Sequence, residues 1–400
     1  MLRAGSGFAV TDDGSAAGRM ATQLALKAAA LPSAQLAMVF AGARHGSDEF
    51  RAVLAAVRET SGAAAVMGCS TTGIITMANE IENHSAVAVL LFGGDEAIPL
   101  LVATPVRAEP RDAGLRLGKA ARARLGYDSD GATLVVLVDP HHLDASAFVA
   151  GIAEGAPGLM VVGAGASGRE DGDARVFTDG KALPDAAVAF LIPGRLFPTV
   201  GMTHGCQGVC DPLPITAVEQ NVILEIDGRP AADVLKEVLA LPGNRPLEKL
   251  SIPLLAGIGD RMCDERSDYV VRPFVVSDDD PRTLAVPEPV RTGQTIRFTL
   301  RDAIGARDDM KAMLDEQSHL RAKSPPAFGL YFNCAGRGSA LYGKSGLDPD
   351  LIQRRFGNMP LVGIESAFEI APTCGRPQVH MLTGVLLLAG AGADGKSAAL

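Results

Sequence analysis

The chain has few of the residues that mark several common classes of protein. It has no tryptophan, and its only aromatic residues are 14 phenylalanines and 4 tyrosines among 400 residues. Binding sites for sugars and for single-stranded nucleic acids need stacking rings, so this composition argues against both classes. Basic residues are also fewer than acidic ones. The 37 Lys and Arg against 46 Asp and Glu leave a net charge of -9. A chain of this charge does not attract phosphate backbones, so no nucleic-acid partner is expected.

Long apolar runs and clustered cysteines are missing as well. Apolar stretches such as Ala86–Phe92 are far shorter than the ~20 residues that a membrane-spanning helix needs. No apolar segment precedes Asp12 and Asp13, so no secretion signal is predicted. The 6 cysteines are too few for a disulfide framework in a chain of this length. These absences predict a protein of the reducing cytoplasm with no membrane insertion.

The chain is rich in small and aliphatic residues, and these residues are arranged in a repeating order. Apolar residues make up 47% of the chain, which is enough for a large core. Three segments each contain an apolar run, a helical stretch, a second run that ends in a turn-rich motif, and a third run. The segments begin at Leu36, Thr133 and Phe328, and their turn-rich runs begin at Val66, Val161 and Leu361. Each segment therefore predicts a β-α-β-β unit whose strands are covered on both faces.

The region between the second and third segments has a different pattern. From Thr199 to Arg301, short β-prone pieces alternate with turn residues, which predicts an antiparallel part. The predicted fold class is therefore α/β (α+β), with repeated β-α-β-β units forming mixed sheets covered by helices and a β-rich middle region.

Two strings match nucleotide-binding motifs, but neither is followed by the structure that the motif needs. Gly163–Gly168 fits G-x-G-x-x-G, yet turn residues follow it where a dinucleotide site requires a helix. Gly338–Ser345 fits the Walker A pattern, yet Gly346 and Pro349 place the next helix too late. No cofactor is predicted. No metal is predicted either, because the cysteines and histidine in residues 204–210 lack a clear fourth ligand.

Polar side chains collect where the strand-like runs end. Open α/β sheets bind ligands at the carboxyl ends of their strands, so these positions are candidates for a site. Cys69, Ser70 and Thr71 end a run in the first segment, and Asn333 and Cys334 end one in the third.

Charged residues follow in the third segment. Gly336 and Gly338 flank Arg337 and permit close approach of the backbone. A guanidinium offers paired donors to a carboxylate or a phosphate. Glu365 and Glu369 lie in an otherwise apolar stretch, where a carboxylate is either paired structurally or faces a ligand.

In these motifs the chain resembles the FIST family, whose N-terminal and C-terminal domains occur in bacterial signalling proteins and in an animal F-box protein. The resemblance covers nearly the whole chain and rests on Gly68–Gly73, Gly205-Cys206, Asn221–Ala231, Phe332–Gly338 and Val362–Ile370. We expect a FIST N-terminal domain over residues 15–220, a FIST C-terminal domain over 221–390, and a flexible tail over 391–400. The first motif departs from the family pattern, because Thr72 and Ile74 replace an alanine and a glutamate.

The resemblance implies a bacterial sensory module that binds small ligands such as amino acids, and it implies no catalytic residue. The predicted function is a cytoplasmic signal-transduction protein that binds an amino acid or a small anion, with Arg337 meeting the anionic group. Its signal would pass to an unidentified partner protein, since the chain has no room for an output domain. Two alternatives stay open, namely an enzyme with Cys334 or Cys69 as nucleophile and a scaffold protein.

Overall fold

The structure is a computed structural model that describes residues 2–77, 79–94, 100–103, 105–126, 130–170, 172–240, 254–260, 268–277 and 279–390. The predicted flexible tail, residues 391–400, lies outside the described residues. The chain divides into two compact units: a larger one from residues 1–202 and 310–400, and a smaller one from residues 203–309.

The first half of the larger unit contains two runs of elements in the same order. The first run is β1 (Arg3–Val10), α1 (Gly14–Ala29), β2 (Leu36–Gly42), α2 (Gly46–Ser61), β3 (Ala65–Thr71), β4 (Gly73–Thr76), β5 (Asn79–Glu82) and β6 (Ala86–Gly93). The second run is β7 (Leu100–Ala103), α3 (Pro110–Leu125), β8 (Thr133–Val138), α4 (Ala145–Gly155), β9 (Met160–Gly165), β10 (Val176–Thr178), β11 (Lys181–Leu183) and β12 (Ala187–Ile192).

The middle region follows, and then a third run completes the larger unit. The middle elements are β13 (Thr199–Thr203), β14 (Cys206–Gly208), β15 (Leu213–Glu219), β16 (Val222–Ile226), β17 (Arg229–Pro230), α5 (Ala231–Val238), β18 (Leu254–Gly259), β19 (Val270–Arg272), β20 (Val275–Val276), β21 (Leu284–Ala285) and β22 (Thr295–Arg301). The third run is α6 (Ala303–Leu320), β23 (Phe328–Cys334), α7 (Gly338–Tyr342), α8 (Leu347–Phe356), β24 (Leu361–Ser366), β25 (Glu369–Thr373), β26 (Arg376–His380) and β27 (Gly384–Ala389).

Three six-stranded sheets with the same strand arrangement form the larger unit. We call them sheet I (β1-β6-β2-β3-β10-β11), sheet II (β7-β12-β8-β9-β25-β26) and sheet III (β13-β27-β23-β24-β4-β5). In each sheet the two central strands are parallel, joined through a helix, and an antiparallel strand flanks the first of them. The α/β fold class with mixed sheets, predicted from the apolar runs, is confirmed.

Each sheet ends in a hairpin that comes from a different run of the chain. The β4–β5 hairpin of the first run extends sheet III by pairing with β24. The β10–β11 hairpin of the second run pairs with β3 of sheet I. The β25–β26 hairpin of the third run pairs with β9 of sheet II. The three runs therefore exchange hairpins in a closed cycle, and every sheet contains strands from two of them.

The hydrophobic core explains why the strand sequences are continuously apolar. Alternate residues of the central strands, such as Phe40, Leu137 and Phe332, join one core cluster formed by the inner faces of all three sheets. The residues between them face the helices: Val39 packs with α1 and α2, and Val136 packs with α3 and α4. Strands buried on both faces need apolar residues at every position, which is the pattern that the sequence shows.

Two glycines let the parallel strands pack closely beside their neighbours. A Cβ atom at Gly68 would lie 1.7 Å from the Val39 carbonyl oxygen, and one at Gly163 would lie 1.8 Å from the Val136 carbonyl oxygen. Both glycines have φ of 154°. No other residue type fits either position, so these glycines are explained by the backbone and need no ligand.

The smaller unit is the predicted β-rich middle region. Its sheet has the order β19-β18-β22-β15-β16-β21-β20, with β14 paired to β22 and β17 to β16. Within the described residues, the neighbouring strands of this sheet are paired antiparallel. Helix α5 packs Val234 and Leu235 into the core of this unit. Across the part of the chain that the structure describes, no helix is both long and apolar enough to span a membrane.

Candidate functional site

The candidate site lies where the parallel strands β23 and β24 end, on the face of sheet III that α8 covers. Asn333 of β23 and Glu365 of β24 are register partners, so their side chains project side by side. On the exchanged hairpin, Gly73 of β4 is paired with Glu82 of β5. Glu80 lies two residues before Glu82 and therefore projects from the same face of the sheet. The hairpin exchange thus brings acidic side chains from the first run to a strand end of the third.

Three carboxylates meet at this edge, and we call Glu80, Glu82 and Glu365 the acidic cluster. One carboxylate oxygen from each of them lies within 4.8 Å of the other two. Glu80 and Glu365 are buried, with exposures of 7% and 5%. Within the described residues, none of the three forms an ion pair with a lysine, arginine or histidine.

Neutral donors surround the acidic cluster. Glu80 accepts hydrogen bonds from the Asn333 Nδ2 at 3.1 Å and from the Gly346 backbone N–H at 2.7 Å. Glu82 accepts bonds from the backbone N–H of Ser339, at 2.8 Å, and from its hydroxyl. These donors orient the carboxylates, but they do not neutralise the charge.

Two glycines make room for the acidic cluster. A Cβ atom at Gly73 would lie 2.4 Å from Cδ of Glu365, and one at Gly338 would lie 2.5 Å from Oε1 of Glu82 and 3.1 Å from Oε1 of Glu80. Gly338 also has a φ of 54°, which favours glycine. The three carboxylates therefore occupy space that any other residue at these two positions would fill.

The environment of the acidic cluster favours protonated carboxyl groups. Burial, reinforced by the charges of Glu82 and Glu80, raises the pKa of Glu365 to about 8 from an ordinary 4.5. Burial is also the main cause that raises the pKa of Glu80 to about 7, against the opposing hydrogen bond from Gly346. Desolvation penalises the charged form, and neighbouring like charges add to that penalty.

Arg337 lies beside the acidic cluster in a buried ion pair with Asp348, at the start of α8. Its Nη2 is 3.0 Å from Oδ2 of Asp348, its Nε donates to the same oxygen at 3.1 Å, and both side chains are at most 1% exposed. Tyr331 and Tyr342 also donate to Asp348, at 2.8 and 2.9 Å. Two nitrogens of the guanidinium are thus used within the protein. The third, Nη1, is buried and has no hydrogen-bond partner among the described residues.

The turns that follow the central parallel strands converge beside this site. Ser70 Oγ donates to the Ser167 carbonyl oxygen at 3.0 Å. Thr71 Oγ1 lies 2.8 Å from the Glu365 carbonyl oxygen, to which Ser167 Oγ also donates. Thr72 Oγ1 donates to the Glu365 carboxylate at 3.1 Å. Hydroxyls from the first two runs therefore hold the backbone and side chain of Glu365 in place.

The remaining predicted site residues have other surroundings. Cys69 is fully buried in the core between the sheets, and this burial raises the pKa of its thiol above the ordinary value. Cys334 is 8% exposed, and its sulfur accepts a hydrogen bond from the Gly336 backbone N–H. Glu369 is fully buried and accepts bonds from Ser366 Oγ at 2.7 Å and from the Thr383 backbone N–H at 3.2 Å. The structure thus brings Asn333, Gly338 and Glu365 together in the acidic cluster and its surroundings, and Arg337 next to them.

These placements predict the order in which cysteines react. With iodoacetamide at neutral pH, we expect Cys374, which is exposed, to be alkylated well before the buried Cys69 and Cys334. Peptide mass spectrometry at short reaction times measures the three sites in one sample. A Cys374→Ser variant is the control, because it must lose the fast site and leave the other two unchanged. Fast labelling of Cys334 in the folded protein would contradict the prediction and would support a nucleophilic cysteine.

Sequence reasoning missed Glu80, Glu82 and Asp348. The string Asn79-Glu-Ile-Glu82 did carry a signal, since two glutamates at alternate positions of a strand lie on one face. Asp348 carried no such signal. It lies in the first turn of a helix, a position that is favourable for any carboxylate.

Comparison with known protein families matches most of the chain to two family models. A family model described as the FIST N domain matches residues 35–229, and one described as the FIST C domain matches residues 231–372. An uncharacterized protein of Mycobacterium tuberculosis is 30% identical over 360 residues, covering 88% of this chain and 90% of its own. An uncharacterized protein of Mycobacterium bovis is 29% identical over 400 residues, covering 97% of this chain and 98% of its own.

Proposed function

Because this chain belongs to the FIST family, whose domains are associated with small-ligand binding and signal transduction, we propose that it is a sensory protein that binds a small carboxylate-bearing ligand. The ligand is an amino acid or a small carboxylic acid, and it binds at the carboxyl ends of β23 and β24. The protein acts in the cytoplasm and passes its signal to a partner protein.

One observation supports this proposal above the others: a charged donor is buried at a strand end without a complete set of partners. Arg337 Nη1 has no hydrogen-bond partner in the described part of the chain. An unpartnered buried donor costs about 1–3 kcal/mol, and a ligand carboxylate that accepts its hydrogen would remove that cost. The carboxyl ends of parallel strands are also where open α/β sheets bind their ligands.

Thermal-shift screening of the full chain with the twenty amino acids and a set of small mono- and dicarboxylic acids tests the proposal. Each compound is measured twice, once in EDTA, so that divalent metal ions are removed, and once with added Mn²⁺. We expect at least one carboxylate-bearing compound to raise the melting temperature in a concentration-dependent way, because a ligand that binds only the folded state stabilises it. If no compound does so under either condition, the proposal fails.

A matched pair of arginine variants shows whether the ligand uses the proposed position. Arg337→Lys keeps a positive charge beside Asp348 but removes the Nη1 donor, so we expect it to abolish most of the ligand-induced shift. Arg354→Lys is the control, because Arg354 lies on the exposed side of α8 with its side chain 74% exposed. An undiminished shift in Arg337→Lys would contradict the proposed binding mode.

A further inference from the structure

We propose that the acidic cluster, together with the carboxamide oxygen of Asn333, is a binding site for a hard divalent cation of the Mg²⁺, Ca²⁺ or Mn²⁺ class. The proposal goes beyond the ligand-binding function described above and does not require it. It depends on the three carboxylates that meet at the end of sheet III and on the buried, unpartnered amide oxygen of Asn333 beside them.

The spacing of the carboxylates fits a single ion. Oxygens that coordinate the same Ca²⁺ lie about 2.3–2.6 Å from it, so no two of them are more than about 5 Å apart. The acidic cluster meets this limit, since one oxygen from each glutamate lies within 4.8 Å of the others. Carboxylate oxygens have several lone-pair sites each, so the hydrogen bonds that the acidic cluster already accepts leave acceptor capacity for an ion.

Asn333 provides an independent observation at the same place. Its side chain is fully buried, and its Nδ2 donates to Glu80, which places the carboxamide at the acidic cluster. The Oδ1 of the same carboxamide is buried and has no hydrogen-bond partner among the described residues. An amide oxygen is a preferred ligand of hard cations, and binding one would satisfy this atom.

The chemistry of the site selects the class of ion and leaves part of the coordination shell open. All the available ligands are oxygens from carboxylates and an amide, which suit Mg²⁺, Ca²⁺ and Mn²⁺ better than the thiolate-binding metals. Three carboxylates and one amide oxygen give about four ligands, and these ions take about six or more. At least two positions therefore remain for water or for the carboxylate of a bound ligand. A divalent charge would also offset two of the three carboxylate charges, which have no basic partner in the described residues.

Mn²⁺ alone is a direct probe, because free Mn²⁺ in solution gives an electron paramagnetic resonance signal that decreases on binding. The full chain is first treated with EDTA and dialysed, and no organic ligand is present. We expect one Mn²⁺ per chain with a dissociation constant below about 1 mM, and competition by Ca²⁺ or Mg²⁺. Absence of such a site would overturn the proposal, whatever the ligand screen gives.

Charge-removing variants locate the ion. Glu80→Gln and Glu365→Gln should each weaken Mn²⁺ binding at least tenfold. Glu154→Gln is the control and should bind as the original chain does, because Glu154 lies on α4 with its side chain 51% exposed. Unchanged affinity in both cluster variants would show that Mn²⁺ binds elsewhere and would overturn the proposal.

A steric variant tests the geometry without removing a ligand. Gly73→Ala keeps all four ligating side chains but places a Cβ atom where Glu365 now lies, so binding should weaken at least tenfold. Circular-dichroism melts in EDTA show whether each variant folds. If Gly73→Ala folds normally and binds Mn²⁺ with unchanged affinity, Glu365 is not held as a ligand and the assignment is wrong.

Discussion

Asp348→Ala should lower the free energy of unfolding by about 3–5 kcal/mol, because it leaves the buried guanidinium of Arg337 without a counter-charge. Asp348 receives two hydrogen bonds through Nε and Nη2 of Arg337, and neither side chain is more than 1% exposed. The two tyrosines that donate to Asp348 would lose an acceptor at the same time. Urea denaturation of the full chain, followed by circular dichroism, measures the change.

Asp350→Ala is the matched control for this prediction. Asp350 lies in the same first turn of α8, so both substitutions remove the same favourable interaction with the helix dipole. Its ion pair with Arg354 is exposed, with side-chain exposures of 74% for Arg354 and 40% for Asp350, and such pairs contribute about 0–1 kcal/mol. Equal losses in the two variants would contradict the assignment of a buried, structurally required ion pair.

The metal-free protein should lose stability as the pH rises from about 5 to about 9. Glu80 and Glu365 have pKa values of about 7 and about 8 in the folded chain, whereas an unfolded glutamate titrates near 4.5. Between these values the folded state holds protons that the unfolded state has released, so the free energy of unfolding falls with pH and levels off above about 9. At about 1.4 kcal/mol per pKa unit, these pKa values set an upper limit of about 8 kcal/mol on the total change that the two residues cause.

The comparison that isolates this effect uses the double variant Glu80→Gln with Glu365→Gln, measured in EDTA at several pH values. Glutamine does not titrate, so the double variant should show a smaller fall in stability across this range. It should also be the more stable protein at pH 9. Glu154→Gln should follow the original chain. A stability that rises with pH in the original chain, relative to the double variant, would contradict the raised pKa values.

Local sequence patterns predicted the elements of the fold because those patterns are set by the neighbouring chain. The apolar runs that begin at Phe328 and Leu361 were predicted as buried strands, and β23 and β24, which begin at these residues, have every residue buried. The string from Gly163 to Gly168 was predicted to be followed by turn residues and not by a helix, and the β10–β11 hairpin follows it. In each case the signal is an unbroken apolar run or a group of turn residues. Such a signal lies within a few consecutive positions, so it can be read from the sequence.

The composition of the candidate site could not be predicted in the same way. Glu80 reaches Asn333 only because the β4–β5 hairpin pairs with β24, a contact between residues 253 positions apart in the chain. Arg337 was expected to face an anionic ligand, whereas Asp348, 11 residues away, uses two of its nitrogens. Both outcomes depend on which elements become neighbours in space, and composition and periodicity do not contain that information.

The exchange of hairpins also constrains how the chain is made. Sheet III needs β4–β5 from the first run, sheet I needs β10–β11 from the second, and sheet II needs β25–β26, close to the carboxyl end of the described chain. A chain emerging from the ribosome therefore cannot complete sheet II until the third run has been synthesised, and β9 keeps an unpaired edge until then. Unpaired strand edges are prone to intermolecular pairing. The larger unit thus completes its three sheets only after β26 has been synthesised, and the N-terminal FIST region on its own lacks the hairpin that covers the edge of β9.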